Sequence, residues 1–242
     1  METKSNENIA VVVAVTDDVQ FNEFIMASPG LQELDVDIIS VHGAKSAAEA
    51  FYLGIEETTC PWIIYCHQDV YFPEGSGREI ERLVSTLSKD TVLGFAGLSG
   101  RINSDEIECV GIVYSGKLGL LDFRGRRTDA VSLDELAIVL NRDCKYQIDP
   151  KLGWHLWGTD LCLQAALDGC PARVERVLMT HNSSHDYIGN GGLPAEFEDS
   201  KKVLIAKYPQ LNVFYSLCTS WHRELRRALR QVSSRRPPRS GR

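Results

Sequence analysis

The chain has 242 residues, 43% hydrophobic and 24% charged, which suits one large soluble domain or two small ones and excludes disordered, collagen-like and disulfide-scaffold classes. Its longest uninterrupted apolar run, Ile9–Val15, is far shorter than the roughly 18 residues a bilayer-spanning helix needs, so no transmembrane helix is encoded. The net charge of −7 is unevenly spread, because residues 221–242 hold eight Arg and one Glu, and an acidic body of this kind argues against nucleic acid as the main ligand.

The N-terminus carries acids and no basic leader or small-residue cleavage site, which argues against a secretory signal and makes the cytoplasm the expected location. Ile9–Val15 is a continuous β-branched run that reads as a buried strand and ends at Thr16-Asp17-Asp18. A weakly periodic segment follows around residues 21–26, and a second short strand is expected at 36–41, ended by His42-Gly43. Ser46-Ala47-Ala48-Glu49 is a capping box that opens a helix to about Glu57. A third apolar strand at 62–66 stops at His67-Gln68-Asp69.

Ser76-Gly77-Arg78-Glu79 reads as a second capping box, and Ile80, Leu83, Val84 and Leu87 share one helical face behind it. Residues 92–96 make a fourth strand. The resulting β-α-β-α-β-α-β order predicts an α/β fold with a mostly parallel sheet, whose ligands bind at strand C-terminal ends. Thr16, Asp17, His42, His67 and Asp69 all fall there.

From Gly97 the pattern loosens into hairpin-like stretches around Gly116 and Arg124-Gly125-Arg126-Arg127. Residues 132–141 mimic a capping box through Ser132 and Glu135, yet Ala137-Ile138-Val139-Leu140 favours a strand. Thr159 is expected to cap a helix through Leu167 that Gly169 ends, a strand follows at 174–179, and residues 194–208 read as an exposed helix packed through Val203, Leu204 and Ala206. In the tail, Trp221, Leu225, Ala228 and Leu229 share a face while arginines surround it. Such a stretch suits peripheral contact with anionic lipid at the inner membrane face, and a solubilising disordered tail is the alternative. The seven cysteines form an odd set without a C-x-x-C pair, so reduced and mostly buried thiols are expected.

His67 and Asp69, emerging where a strand ends, can hold a divalent cation beside a nucleotide pocket, although an acid there also serves as a simple turn residue. Asp17 and Asp18 equally suit capping, and Trp154 and Trp157 equally suit packing. Asp160 falls at a helix N-terminus, where the dipole alone accounts for a carboxylate. Thr180-His181-Asn182-Ser183-Ser184-His185-Asp186 fits a metal site and an irregular loop alike.

Order and spacing are more specific than any of these pieces. Ile63-Ile64-Tyr65-Cys66-His67-Gln68-Asp69-Val70-Tyr71-Phe72-Pro73, then Leu133-Asp134-Glu135, Gly153-Trp154-His155-Leu156-Trp157-Gly158-Thr159-Asp160-Leu161-Cys162-Leu163-Gln164-Ala165 and Thr180-His181-Asn182-Ser183, resemble the GT-A-fold, family-2-like glycosyltransferases over residues 9–210. Tyr52, Asn182 and Gly158 depart from that pattern. The resemblance implies one GT-A domain over residues 1–215, with a nucleotide-binding half at about 9–100, an acceptor half at about 101–210, and a basic tail at 216–242.

It further implies a nucleotide-diphosphate-sugar donor, a glycan or lipid-linked acceptor, and Mn²⁺ or Mg²⁺ on Asp69, His181 and the neighbouring His67. Asp160 falls on the acid that acts as general base in inverting members. Thr16, Asp17, His42 and Gln68 are expected at the donor, and Trp154, His155 and Trp157 at the acceptor. The alternatives are another metal-dependent nucleotide enzyme, which would release phosphate or pyrophosphate without sugar transfer, and a non-catalytic carbohydrate- or nucleotide-binding module, which detectable donor hydrolysis would exclude.

Overall fold

The computed structural model describes residues 8–102, 104, 106–116, 118–182 and 193–211. His185, Asp186 and the basic tail lie outside them. Strand β1 (Ile9–Val15) pairs in parallel with β2 (Asp37–His42) and β3 (Trp62–His67). Its alternate side chains enter two cores: Ala10 and Val12 face one layer, and Ile9, Val11, Val13 and Val15 the other. Each of these β-branched side chains, removed from water on folding, contributes about 1.5–3 kcal/mol.

The layer against Val11 and Val13 contains α1 (Asp18–Phe21), a π-helical turn at Asn22–Met26, α2 (Pro29–Leu34) and α4 (Ser76–Val84). The opposite layer contains α3 (Ala47–Glu56), α5 (Trp157–Leu167) and α6 (Ala195–Lys207). Ile80, Leu83 and Val84 are buried, as the helical stripe requires. Ser46 caps α3 by accepting from the Glu49 amide at 3.1 Å. The expected second box does not form. Gly75, with φ of +86°, precedes α4, and the Ser76 hydroxyl donates to the Pro73 carbonyl at 2.6 Å.

Beyond α4 the chain adds β4 (Val70–Tyr71, just after β3), β5 (Leu93–Gly94), β6 (Ala96–Ser99), β7 (Glu108–Ser115), β8 (Gly119–Arg124), β9 (Asp129–Leu133), β10 (Ala137–Asn141), β11 (Ala172–Val174) and β12 (Leu178–His181). The strand path is β2-β1-β3-β10-β5-β11-β9-β6-β7-β12-β4, with β8 paired to β7. This sheet is mixed. Only β1 with β2 and β3, β5 with β11, and β7 with β12 pair in parallel; β10 enters antiparallel between β3 and β5, where a parallel neighbour was expected. The third and last strands on the path, β3 and β4, are separated in the chain by Gln68 and Asp69 alone, so the sheet curls until its far end returns to β3.

Several boundaries differ from expectation. Residues 92–96 split around Phe95 into β5 and β6, 132–141 into β9 and β10, and 174–179 into β11 and β12. Thr159 lies inside α5, its hydroxyl 2.8 Å from that of Ser132, because Leu156 is the residue that precedes the helix. Gly169 follows α5 with φ of +75° as predicted. On α6, Phe197 and Leu204 are buried, Val203 packs against their core, and Ala206 faces solvent. Cys60, Cys66 and Cys162 are buried and outside any disulfide.

Candidate active site

Register places the first two functional side chains. Ala14 stands beside His67 across β1 and β3, and Ala137 beside Cys66 across β10, while the His67 amide donates to the Leu136 carbonyl at 3.0 Å. The strand is thus held on both sides up to its last residue. His181 pairs with Val70 across β12 and β4, and the Asn182 amide donates to the Asp69 carbonyl at 2.9 Å. The curl of the sheet therefore lays the end of β12 over the turn that ends β3.

His67, Asp69 and His181 meet there, each offering one ligand atom within 4.8 Å of the others. His67 Nδ1 lies 3.5 Å from His181 Nε2, which lies 3.4 Å from Asp69 Oδ1. Burial lowers the pKa of His67, and the neighbouring His181 lowers it further, so His67 keeps a neutral ring with a free lone pair. Burial alone would raise that of Asp69, but the His181 hydrogen bond and the two imidazoles outweigh it and hold the carboxylate ionised. For His181, burial opposes the charged ring and Asp69 restores it, with a net upward shift. Two imidazoles and an anion with no Lys or Arg partner among the described residues form a donor set that suits a divalent cation.

Gln68 ties this turn to the end of β1. Its Oε1 accepts from the Thr16 and Asp17 amides at 2.7 and 3.0 Å, and its Nε2 donates to the Thr16 hydroxyl at 3.1 Å. Asp17 caps α1, accepting from the Val19 and Gln20 amides. His42, at the end of β2, lies 3.9 Å from Asp18, both exposed. The four residues expected at the donor thus line the same edge of the sheet as the histidine cluster, with Gln68 as the physical link.

The α5 residues divide differently. Leu156, with φ of +64°, sits in the left-handed region that costs a branched side chain about 1–2 kcal/mol, and it turns the chain so that Trp157 points inward. Trp157 is 2% exposed, its ring centroid 5.1 Å from that of Tyr65, so it is a core residue and offers no face to an acceptor. Trp154 is 37% exposed, and half-buried His155 stacks near Phe197 and acts electrostatically on His67.

Asp160 is 0% exposed. Its Oδ1 accepts from the Tyr208 hydroxyl at 2.7 Å, and its Oδ2 from Lys207 Nζ at 2.9 Å and Gln164 Nε2 at 2.8 Å. The carboxylate expected to act as base is here enclosed and bonded through both oxygens, a geometry that clamps the end of α6 to the first turn of α5.

Residues 10–170 match the model of a glycosyltransferase-like family. The chain belongs to that family. Among solved structures, Staphylococcus aureus TarS is similar over 86% of this chain and 40% of its own, at 9% identity and a TM-score of 0.46, so this chain spans less than half the length of TarS. A glycosyltransferase involved in glycosylation of the major capsid of PBCV-1 is similar over 82% of this chain and 99% of its own, at 7% identity and a TM-score of 0.40. Among curated proteins no sequence matches. The mixed α/β fold of this glycosyltransferase is the GT-A arrangement.

The turn between β9 and β10 holds two acids that the sequence marked only as part of a motif. The Asp134 amide donates to the Ala96 carbonyl, its Oδ1 accepts from the Leu136 amide at 3.0 Å, and its charge acts on both His67 and His181. Glu135 points the other way, and its Oε1 accepts from the Gly158 amide in the first turn of α5 at 3.1 Å. Burial, with help from Asp134, pushes its pKa up to about 8 against the pull of the Gly158, Glu135 and Leu156 amides. The legible signal was an acid pair between two mostly buried strands, where a carboxylate needs a reason to be.

Proposed function

We propose that this glycosyltransferase moves a sugar from a nucleoside-diphosphate donor to a hydroxyl of a glycan or lipid-linked acceptor, with inversion, and that it depends on a divalent metal. The observation that carries the reading is the meeting of His67, Asp69 and His181 at the ligand edge of the sheet, with no Lys or Arg partner for Asp69 among the described residues. These three residues would hold Mn²⁺ or Mg²⁺, which as a Lewis acid offsets the negative charge of a departing diphosphate. The site residues divide the remaining work. Thr16, Asp17, Gln68 and His42 border the space next to β1 and β2 where the base and ribose of the donor would lie. Trp154 and His155 present an apolar face and a polar edge to the acceptor.

Thermal unfolding with UDP or GDP, each with Mn²⁺, Mg²⁺ or EDTA, tests the reading. Nucleotide at 100 times its Kd adds about 2.7 kcal/mol of stability. A shift with metal and none in EDTA supports the proposal, and equal shifts in both overturn the metal role. Incubation with a panel of UDP- and GDP-sugars must then release nucleoside diphosphate. The arginine-rich residues 221–242 suit contact with anionic lipid, and cosedimentation of full-length and truncated protein with phosphatidylserine vesicles tests that contact separately.

A further inference from the structure

Helix α3 sits close over β1. A Cβ at Gly54 would meet Val12 Cγ1 at 2.3 Å, so glycine permits this approach where a larger residue would not. The neighbouring β2 pairs with β1 alone and ends the strand path, and a groove runs along it beside α3. Ile39 and Leu53 supply the apolar part of the groove, and Leu53 is 45% exposed. Asp37, Glu56 and Glu57, all exposed, supply its charge, while His42 stands at the far end of β2. Leu53, Glu56 and Glu57 follow at i, i+3 and i+4, so they share one side of the helix end.

This charge stands against the helix's own field. The C-terminal end of a helix carries partial negative charge, which cations stabilise and carboxylates oppose. The last turn of α3 has no basic residue, and none of the three acids has a Lys or Arg partner among the described residues. The groove therefore fits an occupant with an apolar stripe bordered by cations. A second copy paired along β2 would only bring the same acids again. Residues 221–230 have the required chemistry, with Trp221, Leu225, Ala228 and Leu229 at helical spacing and Arg223, Arg226, Arg227 and Arg230 around them. The described chain also ends near α3. Lys207 Nζ meets Asp149 Oδ2 at 3.0 Å, and Asp149 acts electrostatically on Tyr52, the residue before Leu53. Beyond Leu211, residues 212–220 can span about 30 Å when extended.

We propose that the groove between β2 and α3 is the docking site of residues 221–230 of the same chain. Tethering favours this occupant, since a segment on a short linker is present at an effective concentration on the order of millimolar. The arginines seated there are those that suit anionic lipid, so groove and membrane compete for one segment. The inference does not depend on the transferase reading.

Full-length protein carrying Leu53→p-benzoylphenylalanine, irradiated at low salt, tests the docking. Mass spectrometry should find the photoproduct at monomer mass, linked to residues 221–230. The same probe at Val19, which is 72% exposed in α1 on the opposite layer, should give no such link. Ser40, exposed on β2 in the same groove, provides a second probe position should the Leu53 variant fold poorly. Glu56→Lys with Glu57→Lys should lower the yield about tenfold, through loss of two ion pairs and their replacement by repulsion. Adding Arg226→Glu and Arg227→Glu to that variant should restore most of it. Stronger cosedimentation of the Glu56→Lys, Glu57→Lys variant than of wild type with phosphatidylserine vesicles also supports the docking. Absence of the link from both groove probes, a link found only between two copies, or a yield indifferent to charge reversal overturns the proposal. A tail that cosediments with vesicles and never links to the groove overturns it as well.

Discussion

Asp69 and Asp160 are carboxylates in the same α/β layer system, and the protein treats them in opposite ways. Around Asp160 it supplies a lysine, a phenol and an amide, all donors, and closes the pocket over them. Around Asp69 it supplies two imidazoles, of which His181 hydrogen-bonds the carboxylate, and no Lys or Arg among the described residues. A carboxylate given a lysine and two further donors is held in place. One given imidazoles alone keeps ligand atoms that a divalent cation can share. Glu135 is a third case, held by a backbone amide at one oxygen and raised in pKa by burial and by the neighbouring Asp134.

The largest effect expected from breaking this contrast is at Asp160. Asp160→Ala leaves the buried Tyr208 hydroxyl without its carboxylate acceptor, while Lys207, partly exposed, keeps Asp149 at 3.0 Å, and a buried donor left unsatisfied costs about 1–3 kcal/mol. For a protein of this size each kcal/mol moves the midpoint by about 2–4 °C, so calorimetry should record a drop on the order of 5 °C. A drop below about 2 °C would remove Asp160 from the scaffold. Asp69→Ala should behave in the opposite manner. The midpoint of the protein alone should change little, while the roughly 2.7 kcal/mol of stabilisation by UDP or GDP at 100 times its Kd with Mn²⁺ should vanish. Retained stabilisation would place the metal elsewhere.

A smaller effect is expected at Gly158, which joins the two regions. Gly158→Ala drives a methyl towards the Leu133 carbonyl and the Ile138 side chain, an overpacking worth about 1–3 kcal/mol that displaces Glu135 from the helix end. Chemical denaturation should show the loss. An alanine variant with wild-type stability would show that the close approach is unimportant.

The parts of this design legible in the sequence were those written locally. The seven-residue run of β1, the Ser46 cap and the polar residues at strand ends follow from periodicity and capping chemistry, which need only near neighbours. The antiparallel place of β10 beside the parallel strands was not legible, because β10 enters between β3 and β5 from some 70 residues along the chain, and no local pattern encodes that pairing. The burial of Trp157 and Asp160 was not foreseen for a related reason. Their surroundings, Tyr65 in β3 and Lys207 and Tyr208 at the end of α6, are distant in sequence, and an aromatic or an acid near a helix start reads the same whether it faces solvent or core. Glu135 was visible as a residue but not as a role, since only its contact with Gly158 distinguishes it from a turn acid.

A pH-dependent effect isolates the charge of Glu135 from its packing. Its folded pKa is raised to about 8, above the ordinary glutamate value, so between those two values the folded state binds more protons than the unfolded chain. The stability from the protonated group is therefore complete below the ordinary glutamate range and is lost as pH rises towards 8. Glu135→Gln cannot ionise and lacks this term, so its stability relative to wild type should improve steadily from pH 5 to pH 8 and level off above. Urea midpoints of both proteins across that range measure the difference directly, and comparing them cancels every other titrating group that the substitution leaves unchanged. A constant difference from pH 5 to pH 8 would mean that Glu135 is ionised throughout, as an ordinary carboxylate.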